Sequence, residues 1–558
     1  MRIETRLTPS LIAEFVSRGH WPNTTIGDRL DRVVQRFPGK TAIIDSQQRV
    51  TFSEFGSLVD RLAIGLNDLG VRRGDVITGQ LPNRVEAMAA YIAAGKIGAV
   101  LAPVVPYYRA SEMRYILERS ESVAVIIPDT FGGFDYPEMI DKMRPSLPAL
   151  KHVIVVGETA PHGAVSFRDL AGENTSGQPP TASEPAAMKA RLSDLRPDPN
   201  DPVVLMFTSG TESTPKAPIW THNTVYGTVS YNEGFQFTEK DVVFSFAPAY
   251  HAFGLGCSIN LALSTVGATC VWMDAFEPEA AMQLIEREKV TAALGVPPQL
   301  MGLLNHPNLR KHDFSSLRVF VAGAAPMPSE GIRRLRAELG CSFVTLWGAS
   351  ESTGGPITHL DDTPEISATT VGKARTDMVE VVVFDEAKEK ILPAGQPGEM
   401  AIRGPFLHAG YFKDPELTKR SFHRDGWFFT GDSVVISQEG HICFVSRIKD
   451  IINRGGEKIS PREVEEHLYA HPKVLTVAMV GMPDPRLGER NCVYIVPRAG
   501  ETVTLAEIVS FLTDRGVAKV KLPERLELVD SLPMTASGKV RKVALREDVT
   551  RKLQQEGH

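Results

Sequence analysis

The chain has 558 residues, 42% of them apolar and 23% charged, and a formal net charge of −6. That length exceeds one ordinary core, so two or more structural units are expected, and the apolar fraction excludes a disordered chain. Both charge signs are scattered with no long basic face, which disfavours a nucleic acid or anionic membrane partner and points to a small-molecule substrate.

The five cysteines, Cys257, Cys270, Cys341, Cys443 and Cys492, are odd in number, widely spaced and free of any CxxC pair. That excludes a disulfide framework and a structural zinc site, and a reducing, cytoplasmic location is expected. The N-terminus carries Arg2, Glu4 and Arg6 and lacks an apolar signal core, so it reads as mature sequence.

In chain order, an apolar helical segment at 84–96 precedes a short apolar run at 98–102, and such alternation predicts α/β layering. Further strands are predicted at 153–156, 203–207, 268–273, 319–322 and 342–346, each opening onto a turn-rich segment where α/β proteins place ligands. The segment 172–197, rich in Ser, Thr, Pro and Ala, reads as a surface connection. The uncharged stretch 252–273 is long enough for a membrane span, but Ser258, Asn260, Ser264, Thr265 and Gly267 interrupt it. It reads as a buried helix running into a buried strand, so no integral membrane segment is expected. After about residue 446 the texture becomes a compact block with strands at 476–480 and 492–496 and helices at 462–470 and 505–515. The division expected is 1–446 and 447–558.

The segment FTSGTESTPK at 207–216 follows a predicted strand and crowds Thr208, Ser209, Thr211, Ser213 and Thr214 around Gly210. Turn amides and hydroxyls suit a polyphosphate, and Lys216 adds a point charge. The usual P-loop pattern fails, because Pro215 precedes Lys216 and Ala217 follows it.

This segment resembles the phosphate-binding motif of the acyl-adenylate-forming superfamily, which holds acyl-CoA synthetases, luciferases and peptide-synthetase adenylation domains. It departs from the usual form at Glu212, Ser213 and Ala217. Further motifs follow in the family's order: APAYHAFG at 247–254, VAGAAP at 321–326, LWGASE at 346–351, GWFFTGD at 426–432, SRIKDIINRGGEKISPREVE at 446–465 and SGK at 537–539. The resemblance runs from VTFSEF at 50–55 nearly to the C-terminus. It implies a large N-terminal multi-layer α/β domain and a small mobile α+β C-terminal domain.

It also implies the roles of residues. The loop Thr208 to Lys216, including Glu212 and Pro215, would hold the phosphates of ATP, and Glu351 would help hold Mg2+ on them. Gly323, Ala324 and Ala325 would flank the adenine. Trp347, where the family commonly has Tyr, would stack on it, with Gly348, Ala349 and Ser350 alongside. Asp432 would accept hydrogen bonds from the ribose hydroxyls, a task for an acceptor-only side chain, and Arg447 would contact the same sugar. His251 would shape the acid site, with Gly323 and Ser350 beside it, and the small residues Gly354 and Gly355 would leave room for a ring. Lys539 would stabilise the charge that builds as a carboxylate attacks the α-phosphorus. Lys449 would be the hinge, and Gly455 and Gly456 would line the path of the pantetheine arm of coenzyme A.

The expected activity is therefore an ATP-dependent carboxylic acid–coenzyme A ligase releasing AMP and pyrophosphate. Loading of a carrier protein is the alternative within the chemistry, and a catalytically silent scaffold on the same fold the alternative outside it. The segments from Pro103 and Pro128 look similar to those of bacterial cyclohexanecarboxylate-CoA ligases, which suggests an alicyclic, aromatic or medium-chain acid.

Overall fold

The computed structural model describes residues 3–158, 160–172, 184–208, 215–323, 327, 329–423, 425–535 and 539–556. Two seven-stranded sheets dominate the first three hundred and fifty residues. One runs in the order Ser342–Thr345, Val319–Ala322, Ala292–Gly295, Val242–Ser245, Thr269–Val271, Thr41–Ile44 and Arg49–Thr51, parallel except at the last pair. The other runs Ile219–Thr221, Pro202–Leu205, Val100–Pro103, Val76–Gly79, Ala124–Pro128, His152–Val156 and Val165–Ser166, parallel except at its first pair.

Helices Phe52–Asp68 and Val85–Lys96 pack in the core shared by the two sheets. The second is buried nearly all round, from Met88 to Lys96, as its unbroken apolar sequence requires. The first begins at a capping box: the Glu54 N–H donates to the Thr51 hydroxyl at 3.2 Å and the Thr51 N–H to the Glu54 carboxylate at 2.7 Å. The stretch 252–273 folds as a buried π-helix, Gly254–Val266, running into the strand Thr269–Val271. Its Asn260 is gripped by Tyr91, whose hydroxyl donates to the amide oxygen at 3.0 Å. No helix among the described residues is long and apolar enough to cross a membrane.

The described part of the segment 172–197 is mostly exposed, as a surface connection should be, and within it residues Glu184–Leu195 form a helix. Its low periodicity concealed this, while Arg191 pairs with Asp68 to tie it to the first core helix.

A four-stranded antiparallel sheet follows, Glu380–Phe384, Pro397–Arg403, Phe428–Ile436 and Ile442–Arg447. The last sheet has five strands, Glu457–Ile459, Ile452–Arg454, Gly488–Pro497, Val474–Asp484 and Arg525–Leu528. It has a core on each face, one under helices Pro461–Tyr469 and Leu505–Asp514, the other under helix Lys542–Gln555.

Candidate active site

A cavity of about 900 Å³ opens between the strand ends of the N-terminal sheets and the C-terminal region. Its walls include Thr208, Lys216, His251, Gly348, Ala349, Ser350, Glu351, Arg447, Lys449 and Lys539. These residues come from separate places because parallel strands present their carboxyl ends to one edge. Leu205, Ser245 and Thr345 each end a strand shortly before one of the contributing loops.

The two ends of the phosphate-loop candidate are joined. The Thr208 N–H donates to the Lys216 carbonyl at 2.8 Å, and the Lys216 N–H to the Thr208 hydroxyl at 3.3 Å. The Pro215 carbonyl accepts from Tyr115 at 3.3 Å. Ser209, Gly210, Thr211, Glu212, Ser213 and Thr214 lie outside the described residues, as do Ala324 and Ala325.

Glu351 is held from two sides. Its carboxylate Oε1 accepts from the Tyr411 hydroxyl at 3.0 Å, and its carbonyl accepts the His408 N–H at 2.9 Å. Beside it, the Ser350 carbonyl accepts the Trp220 indole N–H at 2.8 Å. Trp220 and Tyr411 stand far from Glu351 in sequence, and main-chain pairing of their segments, including the bridges of Pro218 with Tyr411 and of Ser352 with Leu407, brings them together. The hydroxyl of Tyr411 was not singled out in the sequence; a tyrosine within PFLHAGYF carries no spacing signal that links it to a carboxylate sixty residues earlier.

Asp432 and Arg447 are direct neighbours across two antiparallel strands, with Arg447 Nε at 3.2 Å from Asp432 Oδ1. The other oxygen, Oδ2, accepts the Trp347 indole N–H at 2.7 Å. Burial raises the Asp432 pKa against the opposing pull of Arg447, the Trp347 hydrogen bond and Lys539. The Trp347 ring is itself buried, packed in the core of the four-stranded sheet.

Lys539 completes the cavity wall from the C-terminal side. Enclosure and the charge of Arg447 lower its pKa to about 8, against the opposing carboxylates of Asp432 and Glu351. His251 faces the same ammonium, and burial together with Lys539 pushes it down to about 3. It is a neutral imidazole at ordinary pH, so it offers a hydrogen bond rather than a charge.

Two expectations for small residues need correction. A methyl group on Gly354 would lie 2.6 Å from the Ser230 hydroxyl and 2.8 Å from the Gly227 carbonyl, and one on Gly355 3.0 Å from the Trp347 carbonyl. Both glycines are buried and make room for the protein's own chain, not for a substrate ring. Gly323 likewise stands against Leu346, whose Cδ1 would lie 3.2 Å from an added methyl.

Gly455 and Gly456 form the exposed turn between strands Ile452–Arg454 and Glu457–Ile459, with φ of +61° and +95°. Positive φ at both central residues of a two-residue hairpin is the type I′ requirement, which explains glycine there without a ligand. Lys449 lies in a short 3-10 turn, Ile448–Asp450, and the Arg546 guanidinium donates to the Lys449 carbonyl at 3.2 Å and to Asp450 at 3.0 Å.

Of the two segments singled out for the acid, the first supplies Pro103, Val104, Val105 and Tyr108 to the cavity. None of 128–140 is in the described lining. Met206, Tyr250, Met301 and Met327 add apolar surface from elsewhere. Taken together, the cavity sets ammonium and guanidinium groups beside the Glu351 carboxylate and an apolar wall, a combination able to bind a polyanion, a cation and an apolar acid at once.

Comparison with known proteins agrees with this chemistry. Residues 30–412 match the family described as AMP-binding enzyme, and residues 463–539 match the AMP-binding enzyme C-terminal domain. The chain is 36% identical to the 2,3-dihydroxybenzoate-AMP ligase of Bacillus subtilis (strain 168), over 98% of this chain and 97% of that protein. It is 33% identical to the medium-chain fatty-acid–CoA ligase of Escherichia coli (strain K12), over 100% of this chain and 96% of that one. Among solved structures, ATP-bound MatB from Rhodopseudomonas palustris superposes with a TM-score of 0.82 at 26% identity, covering 94% of this chain and 99% of the other. The chain belongs to the AMP-binding enzyme family, the acyl-adenylate-forming superfamily, and is an ATP-using, AMP-forming acid ligase.

Proposed function

We propose that the chain joins a carboxylic acid to coenzyme A in two half-reactions carried out in one cavity. In the first, a carboxylate oxygen of the acid attacks the α-phosphorus of ATP, the bond to the bridging oxygen breaks, and pyrophosphate leaves. In the second, the thiol of coenzyme A attacks the acyl carbon of the acyl adenylate, loses its proton, and expels AMP. The observation that carries this reading is the enclosure of Lys539 in one cavity with Glu351 and Arg447, with the buried carboxylate of Asp432 acting on its ammonium from behind the wall.

In the first half-reaction the Lys539 ammonium meets the charge that builds on the phosphoryl group and the leaving pyrophosphate. The joined ends of the loop from Thr208 to Lys216 carry the phosphate-binding segment, Asp432 accepts from the ribose hydroxyls, and Arg447 stands beside them. Gly348 and Ala349 line the cavity on the adenine side, backed by the buried ring of Trp347 and by Gly323 against Leu346. Magnesium fits Glu351: a hard carboxylate lines the cavity, with Oε1 steadied by Tyr411, and Mg2+ takes one or two carboxylates plus phosphates and waters. When bound, Mg2+ would neutralise charge on the triphosphate.

A division near residue 446 and a hinge at Lys449 let the C-terminal region withdraw Lys539 after pyrophosphate departs and present the Gly455–Gly456 turn in its place. The turn is bare of side chains, which suits the passage of a slender pantetheine arm. His251 and Ser350 border the acid carboxylate, and the apolar surface of Pro103, Val104, Met206 and Tyr250 suits an alicyclic, aromatic or medium-chain acid. The names of the two relatives, one for an aromatic acid and one for medium-chain acids, support the same range. Another relative, 31% identical, is named salicyl-AMP ligase / salicyl-S-ArCP synthetase, which favours a second reading in which a carrier thiol replaces coenzyme A.

The test is a survey of benzoate, cyclohexanecarboxylate, hexanoate, octanoate and palmitate with ATP, magnesium and coenzyme A. Pyrophosphate, AMP and an acyl-CoA thioester are the expected products, with a ring or medium-chain acid preferred. ADP as the main product contradicts the mechanism, and a palmitate preference contradicts the acid class. Adenylation without any thioester from coenzyme A transfers support to the carrier reading.

A further inference from the structure

Trp347 is built into the fold at every polar group it has. Its backbone N–H donates to the Pro356 carbonyl at 3.0 Å, and its carbonyl accepts the Tyr231 hydroxyl at 2.8 Å. Its ring lies in the core with Met400, Phe428 and Val434, and only 6% of the residue is exposed. Gly355 gives that ring its berth, since a methyl group there would lie 3.1 Å from Trp347 Cε3. The indole N–H therefore points from a fixed frame, and it donates to Asp432 Oδ2 at 2.7 Å.

Asp432 is 3% exposed, and its two oxygens have different fates. Oδ2 is occupied by the indole. Oδ1 is buried without a hydrogen bond among the described residues, although Arg447 Nε stands at 3.2 Å. A buried carboxylate oxygen left in that state costs stability unless a ligand satisfies it. A carboxylate otherwise rotates about its terminal torsion, which is broad and two-fold. A charge-assisted bond from a rigid donor removes that freedom and sets the plane in which Oδ1 presents its lone pairs.

We propose that Trp347 is a positioning residue for nucleotide recognition: its indole N–H holds Asp432 so that Oδ1 accepts a ribose hydroxyl. The role differs from stacking on the adenine, because it acts through the N–H and not through the ring face. It rests on the reading that Asp432 accepts from the ribose. It also gives a reason for tryptophan at this position, since a phenylalanine has no donor and a tyrosine carries its hydroxyl at the opposite end of a shorter ring.

The experiment compares ATP with 2′,3′-dideoxy-ATP as substrate for the full chain and for Trp347→Phe, following pyrophosphate release under one saturating acid. With ATP the substitution raises KM by about tenfold or more, the size expected when a hydrogen bond to a charged group is lost. With the dideoxy nucleotide it changes KM by less than about twofold, because no hydroxyl remains to be aligned. If the Phe variant fails to fold, replacement of Trp347 by benzothienylalanine keeps the ring shape, removes only the N–H, and gives the same pair of readings. Equal losses with both nucleotides, while the unsubstituted chain still prefers ATP, overturn the positioning role and leave the ribose reading of Asp432 standing. Equal use of ATP and dideoxy-ATP by the unsubstituted chain overturns the ribose reading and the positioning role with it.

Discussion

Glu351, Ser350 and Asp432 are each held by a side chain from far along the sequence, Tyr411, Trp220 and Trp347 respectively. Lys539 is held differently. Its main-chain bonds among the described residues are to Thr535, four positions away: its carbonyl accepts the Thr535 N–H at 2.7 Å and its N–H donates to the Thr535 hydroxyl at 3.0 Å. The region that carries it has its own cores on both faces of its own sheet. It meets the preceding region through such contacts as the exposed Lys458–Glu386 pair, at 2.8 Å, and the Arg462 guanidinium donating to the Phe444 carbonyl at 2.7 Å. Exposed ion pairs contribute about 0–1 kcal/mol. One side of the cavity is thus tied across distant segments, and the other is a cation on a region with its own cores. Under the two-half-reaction proposal, the contrast assigns the wall groups to both steps and Lys539 to one step only.

The largest effect that sharpens this contrast is at the wall. Asp432→Ala should lower both half-reactions together by about a hundredfold, the loss of ~3 kcal/mol of charge-assisted binding. Pyrophosphate release and thioester formation from supplied acyl-AMP check it. Loss of only one half would place Asp432 with the removable groups.

Next in size is the C-terminal side. Lys449→Pro, which stiffens the hinge, and Gly456→Trp, which puts a large ring on the turn, should each lower thioester formation by about tenfold or more while pyrophosphate release stays within about twofold. A Gly456→Trp variant with full thioester activity would show that the thiol does not approach past that turn.

A smaller effect follows from charge. The Lys539 pKa of about 8 lies below the ordinary lysine value, so its ammonium is lost as pH rises through about 8. The sign is that kcat/KM for ATP falls above that pH, and Lys539→Arg, which stays charged, flattens this limb. A profile for the unsubstituted chain that stays level to pH 10 would detach the limb from Lys539. His251, at about 3, contributes no limb near neutrality.

The smallest effect separates packing from recognition. Gly354→Ala should destabilise folding by about 1–3 kcal/mol through overpacking against Ser230 and Gly227, with the order of preferred acids unchanged. Denaturant unfolding and the acid survey decide it, and a changed acid order at full stability would return Gly354 to the acid site.

Local runs of sequence carried much of this. The strand Val319–Ala322 and the helix Val85–Lys96 were visible as apolar runs, and the segment carrying Glu351 followed directly from the end of a strand. What could not be read was pairing across distance. Trp347 and Asp432 are 85 positions apart, and Glu351 and Tyr411 are 60 apart. No periodicity records which atom of an indole meets which oxygen of a carboxylate. Gly354 and Gly355 misled for a related reason: a glycine next to a motif looks like space for a ligand, but only the fold shows whose atoms fill that space. The helix Glu184–Leu195 was hidden because its apolar residues form no stripe at helical spacing.

The central claim, that Lys539 serves one half-reaction and then leaves, is tested most directly with Lys539→Ala in two assays on the same preparation. One is pyrophosphate release from ATP and acid; the other is thioester formation from synthetic acyl-AMP and coenzyme A. The division between fixed wall and removable cation predicts a loss of about a hundredfold or more in the first, the scale of removing a transition-state donor, and activity within about twofold in the second. Equal loss in both assays by a folded Lys539→Ala variant would contradict it.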